Sequence, residues 1–225
     1  MIARMSRSAR QKLASFLGLV PLIAFLAFHA WETSAALSGR DAFVSRISSS
    51  TSSLLGLLIK STICVLPILV HGVLHFIAPS DADEIQLRYR ARGVFRLQQA
   101  TGIATAAYLL WHLASLWWPL VVDHEPATAY DFLMVHAGQP LHFVAHAIGI
   151  ACVSFHAALG AAAAGVTFRI VASDDGLRRA RVVFGSAMFI LYLLLLNNLS
   201  HFVAGRAFFG ESHNAIQQPA APEVE

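Results

Sequence analysis

The chain has 225 residues, of which 56% are hydrophobic and only 13% charged, with a mean hydropathy of +0.60. A soluble domain of this size carries about 25% charge, so the composition excludes an ordinary soluble enzyme and indicates an integral membrane protein. A net charge of +3 then informs topology rather than nucleic-acid binding.

Five segments are apolar and long enough to cross about 30 Å of hydrocarbon. In chain order they run from about Leu13 to Thr33, Leu54 to Ile77, Leu97 to Val122, Pro140 to Phe168 and Val182 to Phe202. None alternates in polarity, and each is longer than a barrel strand. The expected fold is all-α: one bundle of five transmembrane helices over residues 1–210, with no Gly/Ser linker and no repeat to divide it. Basic residues (Arg4, Arg7, Arg10, Lys12) precede the first run, but that run is too long for a signal peptide's apolar region and four more follow, so it reads as a span. Cys64 and Cys152 lie inside apolar runs without metal-ligand spacing and read as small buried hydrophobes. Residues 211–225, including "IQQPAAPEVE", have no periodic apolar face and are expected to be disordered.

The loops set the orientation. The N-terminal tail has four basic residues. Four more (Arg88, Arg90, Arg92, Arg96) lie between spans two and three, and another four (Arg169, Arg178, Arg179, Arg181) between spans four and five. The opposite side has Arg40, Arg46 and Arg206. The positive-inside rule therefore places the N-terminus in the cytoplasm and the C-terminus outside.

Each of the first four spans contains a histidine: His29, His71, His112 and His156. An ionisable group inside a membrane is a functional hypothesis by default. At 1.5 Å per residue, His29 and His112 lie roughly 24 and 22 Å from the cytoplasmic entry of their spans. His71 and His156 lie roughly 25 and 24 Å from the outer entry of theirs. Two pairs result, one near the outer face and one near the inner. Two imidazoles facing each other at one depth suit axial ligation of haem iron, with both axial positions filled and electron transfer favoured over oxygen chemistry. Gly72, Ala157, Ala158 and Gly160 are small neighbours that give a macrocycle room. Zinc would want further ligands, and the only Asp or Glu in these four spans is Glu32, at the outer end of the first.

Several motifs resemble those of the five-helix, di-haem cytochrome b anchors of the succinate dehydrogenase and fumarate reductase (succinate:quinone oxidoreductase) family. Span one has Ser15, Gly18 and Pro21 before His29. Span two has Pro67 four residues before His71. Span three has Leu97, Gln98, Thr101 and Gly102, then "WH" at His112, and span four has "FHAALG". The likeness runs from about Lys12 to Phe202. It implies two haems b, a proximal one on His71 and His156 and a distal one on His29 and His112. It also implies flavoprotein and iron–sulfur partner subunits on the cytoplasmic side, with quinone, commonly menaquinone, as the electron acceptor. Succinate chemistry would reside in a partner, so this chain would carry no catalytic acid–base group. The setting would be the respiratory chain and tricarboxylic acid cycle, in the cell inner (cytoplasmic) membrane, as a multi-pass subunit in contact with lipid. The likeness allows a higher oligomer of the complex and implies no nucleic-acid partner. In one respect the chain departs from the family: some members carry a glutamate two residues before the inner ligand of span four, where this chain has Ser154, a poor proton carrier.

Residues of second rank are Lys60, His75, Gln98 and His146, as candidate quinone or propionate partners. Lys60 can instead snorkel to the outer interface, His75 can be solvated, and Gln98, with Ser15 and Thr101, can serve interhelical hydrogen bonding. Two rival functions are weighed. One is a di-haem cytochrome b anchor of another respiratory dehydrogenase, which the one-per-span histidines disfavour. The other is a transporter using histidines as a proton relay without haem, which predicts mid-membrane carboxylates that are absent here.

Overall fold

The computed structural model describes residues 6–51, 62, 65–77, 82–117, 126–205 and 207–209, and all regular structure among them is helical. The elements are α1 (Arg7–Thr33), a 3₁₀ segment (Ser34–Ser38), α2 (Arg40–Thr51), α3 (Leu66–Ile77), α4 (Ala82–Tyr89), α5 (Arg92–His112), α6 (Pro126–Ala137), α7 (Pro140–Thr167) and α8 (Asp174–Ala204). A π-helical turn, Leu113–Trp117, follows α5 directly after His112.

Among the described residues, three helical stretches are long and apolar enough to cross a membrane: Ser8–Ser38, Pro140–Thr167 and Asp174–Ala204. Leu66–His75 is a shorter apolar helix. Residues 54–61, 63 and 64 of the expected second span, with Lys60 and Cys64, lie outside the described residues, as do 118–122 of the third and the tail from 210 on.

Two boundaries differ from expectation because of caps. Ser6 Oγ accepts from Ala9 N at 3.3 Å and starts α1 at Arg7. Ser173 Oγ accepts from Gly176 N at 3.1 Å, and Asp174 and Asp175 occupy the first turn of α8, so this helix begins eight residues before the apolar run.

The bundle is built around α7, which packs against α1, α5 and α8, while α3 lies along α1 and α4 covers one end of α5 and α7. Small residues make this close: Ala157, Ala158, Ala161, Ala162, Ala163 and Gly165 of α7 are buried. Within lipid, where apolar side chains gain little by leaving their surroundings, such tight van der Waals approach is what holds helices together. Leu22 and Leu26 of α1, Val153 of α7, and Met188 and Leu191 of α8 fill the centre. Large apolar side chains such as Ile103, Leu141, Ile148 and Phe189 point outward, as a lipid-facing surface requires.

Polar groups fasten the bundle at set points. Asn198 Nδ2 donates to Ala30 O at 2.8 Å and to Thr33 Oγ1 at 2.9 Å, joining α8 to α1. Asn197 exchanges two hydrogen bonds with the backbone of Phe209, at 3.1 and 2.7 Å. Arg181 Nη2 donates to Tyr89 O at 2.6 Å, tying α8 to the end of α4.

A second layer covers the end of the bundle read as outer. Composition marked these stretches as loops, yet they are α2 and α6. Phe43 of α2, fully buried, packs edge-on against Tyr130 of α6 and Phe202 of α8, with ring centroids 5.7 and 5.6 Å apart. Arg40 Nη2 and Asp131 Oδ2 close the same contact at 2.7 Å. The Arg40 guanidinium holds the Asp131 carboxyl below the usual carboxylate range.

Candidate cofactor site: two facing histidine pairs

The inner pair is His71 on α3 and His156 on α7. Their ring centroids are 6.3 Å apart, with planes inclined at 76°. Each ring is locked in the same way. His71 Nδ1 bonds Ala14 O at 2.8 Å, and the ring lies against Gly18 of α1, in space that a Cβ there would occupy. His156 Nδ1 bonds Gln98 O at 3.1 Å, and the ring lies against Gly102 of α5, where a Cβ would come within 2.8 Å of Cε1. In both cases the accepting carbonyl is four residues before the glycine, one helical turn away on the same face.

These bonds fix the tautomer. A carbonyl only accepts, so each Nδ1 carries the proton and each Nε2 has a free lone pair. Among the described residues neither Nε2 has a hydrogen-bond partner. An Nδ1–H donated to a backbone carbonyl is the usual orienting contact of a metal-bound histidine.

The outer pair is His29 on α1 and His112 on α5, with centroids 6.2 Å apart and planes at 81°. His29 stacks on Phe25 at 5.4 Å and 12°. His112 lies 5.5 Å from Tyr108 and 5.3 Å, edge-on, from His146, and its Nδ1 is buried without a hydrogen-bond partner.

The pairs occupy two levels. The Gly18 notch is eleven residues before His29, and the Gly102 notch is ten before His112. At 1.5 Å per residue, the levels are about 15 Å apart on both helices.

An imidazole nitrogen about 2.0 Å from a metal sets the ring centroid roughly 3.1 Å away, so two imidazoles on opposite sides of one metal need centroids about 6.2 Å apart. Aromatic packing alone spans a wider range, about 4.5–7 Å, so separation does not decide the matter by itself. The locked Nδ1–H tautomers and the glycine notches are what packing alone does not require. Among the described residues no group of three or more His, Cys, Asp or Glu is arranged to hold a bare metal ion. Each level offers two imidazole donors.

Of the residues of second rank, Gln98 is buried and clasps His156 twice. Its backbone carbonyl takes the ring proton, and its Nε2 donates to His156 O at 3.2 Å. It is therefore a positioning residue. His75 packs edge-on against His71 at 4.6 Å and is exposed. His146 is 2% exposed; its Nδ1 lies 3.1 Å from the Tyr108 hydroxyl, and its Nε2 is buried with no hydrogen-bond partner. Thr101 bonds back within its own helix, to Leu97 O at 2.8 Å, rather than across to another. Ser154 is buried in α7, its Oγ without a hydrogen-bond partner.

Gly72 does not serve as room beside the inner pair: a Cβ there meets nothing within 4 Å. Following His71 by one residue, it points about 100° away around the helix. The space comes instead from Gly18 and Gly102 on the facing helices. A third notch, at Gly149 of α7, takes the ring of Tyr108 and brings its hydroxyl to His146. Sequence reasoning also passed over Arg88, buried, whose Nη2 donates to Ser15 Oγ at 3.2 Å. Ser15 adjoins Ala14, the acceptor for His71.

No family profile, curated protein or solved structure matches the chain.

Proposed function

We propose that this chain is a five-span, di-haem b membrane anchor of a succinate:quinone oxidoreductase, with its N-terminus in the cytoplasm. The observation that carries the reading is the repeated geometry: two facing histidine pairs, 6.2 and 6.3 Å apart between centroids, at two levels of one helical bundle. His71 and His156 would hold the proximal haem, and His29 and His112 the distal one. Two haems b held by these histidines would supply one-electron transfer.

The chain's own residues bind and orient. Ala14 and Gln98 carbonyls hold the protons of His71 and His156 at Nδ1 and leave each Nε2 lone pair free. Gly18 and Gly102 allow the rings to lie against the neighbouring helices. The apolar interior excludes water from both levels. In this reading the chain joins an iron–sulfur subunit on the cytoplasmic side, itself served by a flavoprotein, to quinone in the cytoplasmic membrane. Menaquinone is the quinone the family likeness favours. Buried His146 with Tyr108, next to His112, is the polar group best placed to meet a quinone oxygen near the outer pair.

The test is a reduced-minus-oxidised absorption spectrum of the purified protein with a pyridine haemochrome count, repeated on His29→Ala, His71→Ala, His112→Ala and His156→Ala. Two haems b per chain are expected, with the same one lost within each pair. Folded protein without haem overturns the reading and returns the histidines to a proton relay. Succinate-dependent quinone reduction by the complex as purified separates this anchor from that of another respiratory dehydrogenase.

A further inference from the structure

We propose that a basic cleft at the cytoplasmic ends of α1, α4 and α7 binds the phosphate of an anionic phospholipid headgroup. The cleft has a volume of about 410 Å³. Ser8 and Gln11 of α1 form one wall, Leu87, Arg88 and Arg90 another, and Val166, Thr167 and Arg169 the third.

The charge is one-sided. Among the described residues, three guanidinium groups line the cleft and no carboxylate does. Arg88 is held in place by Ser15. Arg90 uses Nε on Asp174, at 2.7 Å. Arg169 has no hydrogen bond or ion pair from its side chain among the described residues. Its planar fork is suited to a phosphate. Apolar groups lie beside the charges, with Leu87, Val166 and Val171 on the walls. A phospholipid presents the same sequence of chemistry, from phosphate to glycerol to acyl chain.

The backbone supplies a second, independent observation. Among the described residues, the non-glycine positions with positive φ are Arg90, at 58°, and Arg169, at 61°, and both line this cleft. Each sits just beyond a helix, where the chain turns left-handed to satisfy the last carbonyls. Arg90 N donates to Gln86 O at 3.2 Å, and Ile170 N donates to Gly165 O at 2.9 Å. Glycine is the usual residue at such an end. The chain uses glycine at the opposite end of the bundle, where Gly205 closes α8 with φ 65°. At the cleft it keeps two arginines despite the strain. Countering a helix dipole does not require the strained position, because an arginine one turn earlier does the same.

Phosphate is the shared chemistry of a lipid headgroup and of free phosphate. The position at the ends of lipid-facing helices, on the arginine-rich side, favours the lipid. The inference needs the membrane orientation but not the histidine pairs.

The experiment uses the full-length protein, reconstituted in phosphatidylcholine vesicles with a minor fraction of phosphatidylglycerol, then extracted and weighed by native mass spectrometry. Phosphatidylglycerol is expected to be retained in preference to phosphatidylcholine. Arg169→Gly should weaken that retention about fivefold, the effect of one interfacial arginine. The glycine relieves the backbone at this position, so a loss of lipid with an unchanged or higher melting temperature is not misfolding. Equal retention of the two lipids by the wild type overturns the proposal, as does unchanged retention by Arg169→Gly. Displacement of the lipid by millimolar inorganic phosphate, with phosphate itself bound in an Arg169-dependent way, overturns the lipid as the source.

Discussion

The ring of His71 fills the space that a Cβ on Gly18 would occupy, with its Nδ1 2.8 Å from Ala14 O, one turn back along the same helix. The relationship makes a signed prediction. In a helix interior, alanine is favoured over glycine by about 1 kcal/mol. Gly18→Ala should nonetheless harm the protein, because the methyl displaces the imidazole. Overpacking of this kind costs about 1–3 kcal/mol. On the proposed di-haem reading, the expected result is loss of the proximal haem signal with the distal one retained, read from the reduced-minus-oxidised spectrum. Unchanged haem content with raised stability would place the His71 ring elsewhere.

Gln98 gives the complementary case. The bond that fixes the His156 tautomer goes to the Gln98 backbone, which a substitution leaves in place. Gln98→Leu removes the Nε2 bond to His156 O and nothing else that orients the ring. A single hydrogen bond is worth about 1 kcal/mol. Gln98→Leu should therefore keep both haems and lose about that much stability in thermal unfolding, whereas His156→Ala should lose a haem. Loss of a haem from Gln98→Leu would make the side chain a cofactor contact and not a clasp.

Some of this architecture is legible in the residues alone and some is not. The histidine levels can be read because helix rise is constant: His29 and His112 were matched by depth, and their rings lie 6.2 Å apart. The notches cannot. Gly18 and Gly102 stand in recognisable motifs, but periodicity does not say which ring crosses from another helix to fill the gap. Gly72, adjacent to a histidine in sequence, looked the better candidate and opens on nothing. Helices α2 and α6 were hidden for a different reason. The stretch "SRISSST" has weak helix propensity and no apolar stripe, and α2 is held by tertiary contacts of Phe43 and Arg40. Depth also could not distinguish His146 from a ligand. In the structure His146 shares the ligand pattern, with its Nδ1 on the Tyr108 hydroxyl, delivered through the Gly149 notch, and its Nε2 buried without a hydrogen-bond partner.

Asn198 tests how the bundle is held. Its amide is buried and donates to both Ala30 O and Thr33 Oγ1 across the α1–α8 contact. In membranes such side-chain bonds contribute about 1–2 kcal/mol at most. Asn198→Ala should lower unfolding stability in mixed detergent by roughly that amount. Because α1 carries both His29 and the Gly18 notch, haem loss on heating should come at a lower temperature for both haems together. Loss confined to one haem would mean that α1 is held independently at its two ends.

The Arg40–Asp131 pair predicts a pH dependence with a definite sign. The guanidinium lowers the folded-state pKa of Asp131 below its unfolded value. The contribution to stability is therefore fully present above the unfolded pKa and is lost as pH falls through the folded one. Both side chains are about half exposed, so the effect is small and screened by salt. Asp131→Asn should melt slightly below the wild type at neutral pH and low salt, and the gap should close on acidification below the ordinary carboxylate range. Added salt at neutral pH should narrow it too. A gap that persists in acid would assign the loss to packing between α2 and α6, around Phe43 and Tyr130, and not to the ion pair.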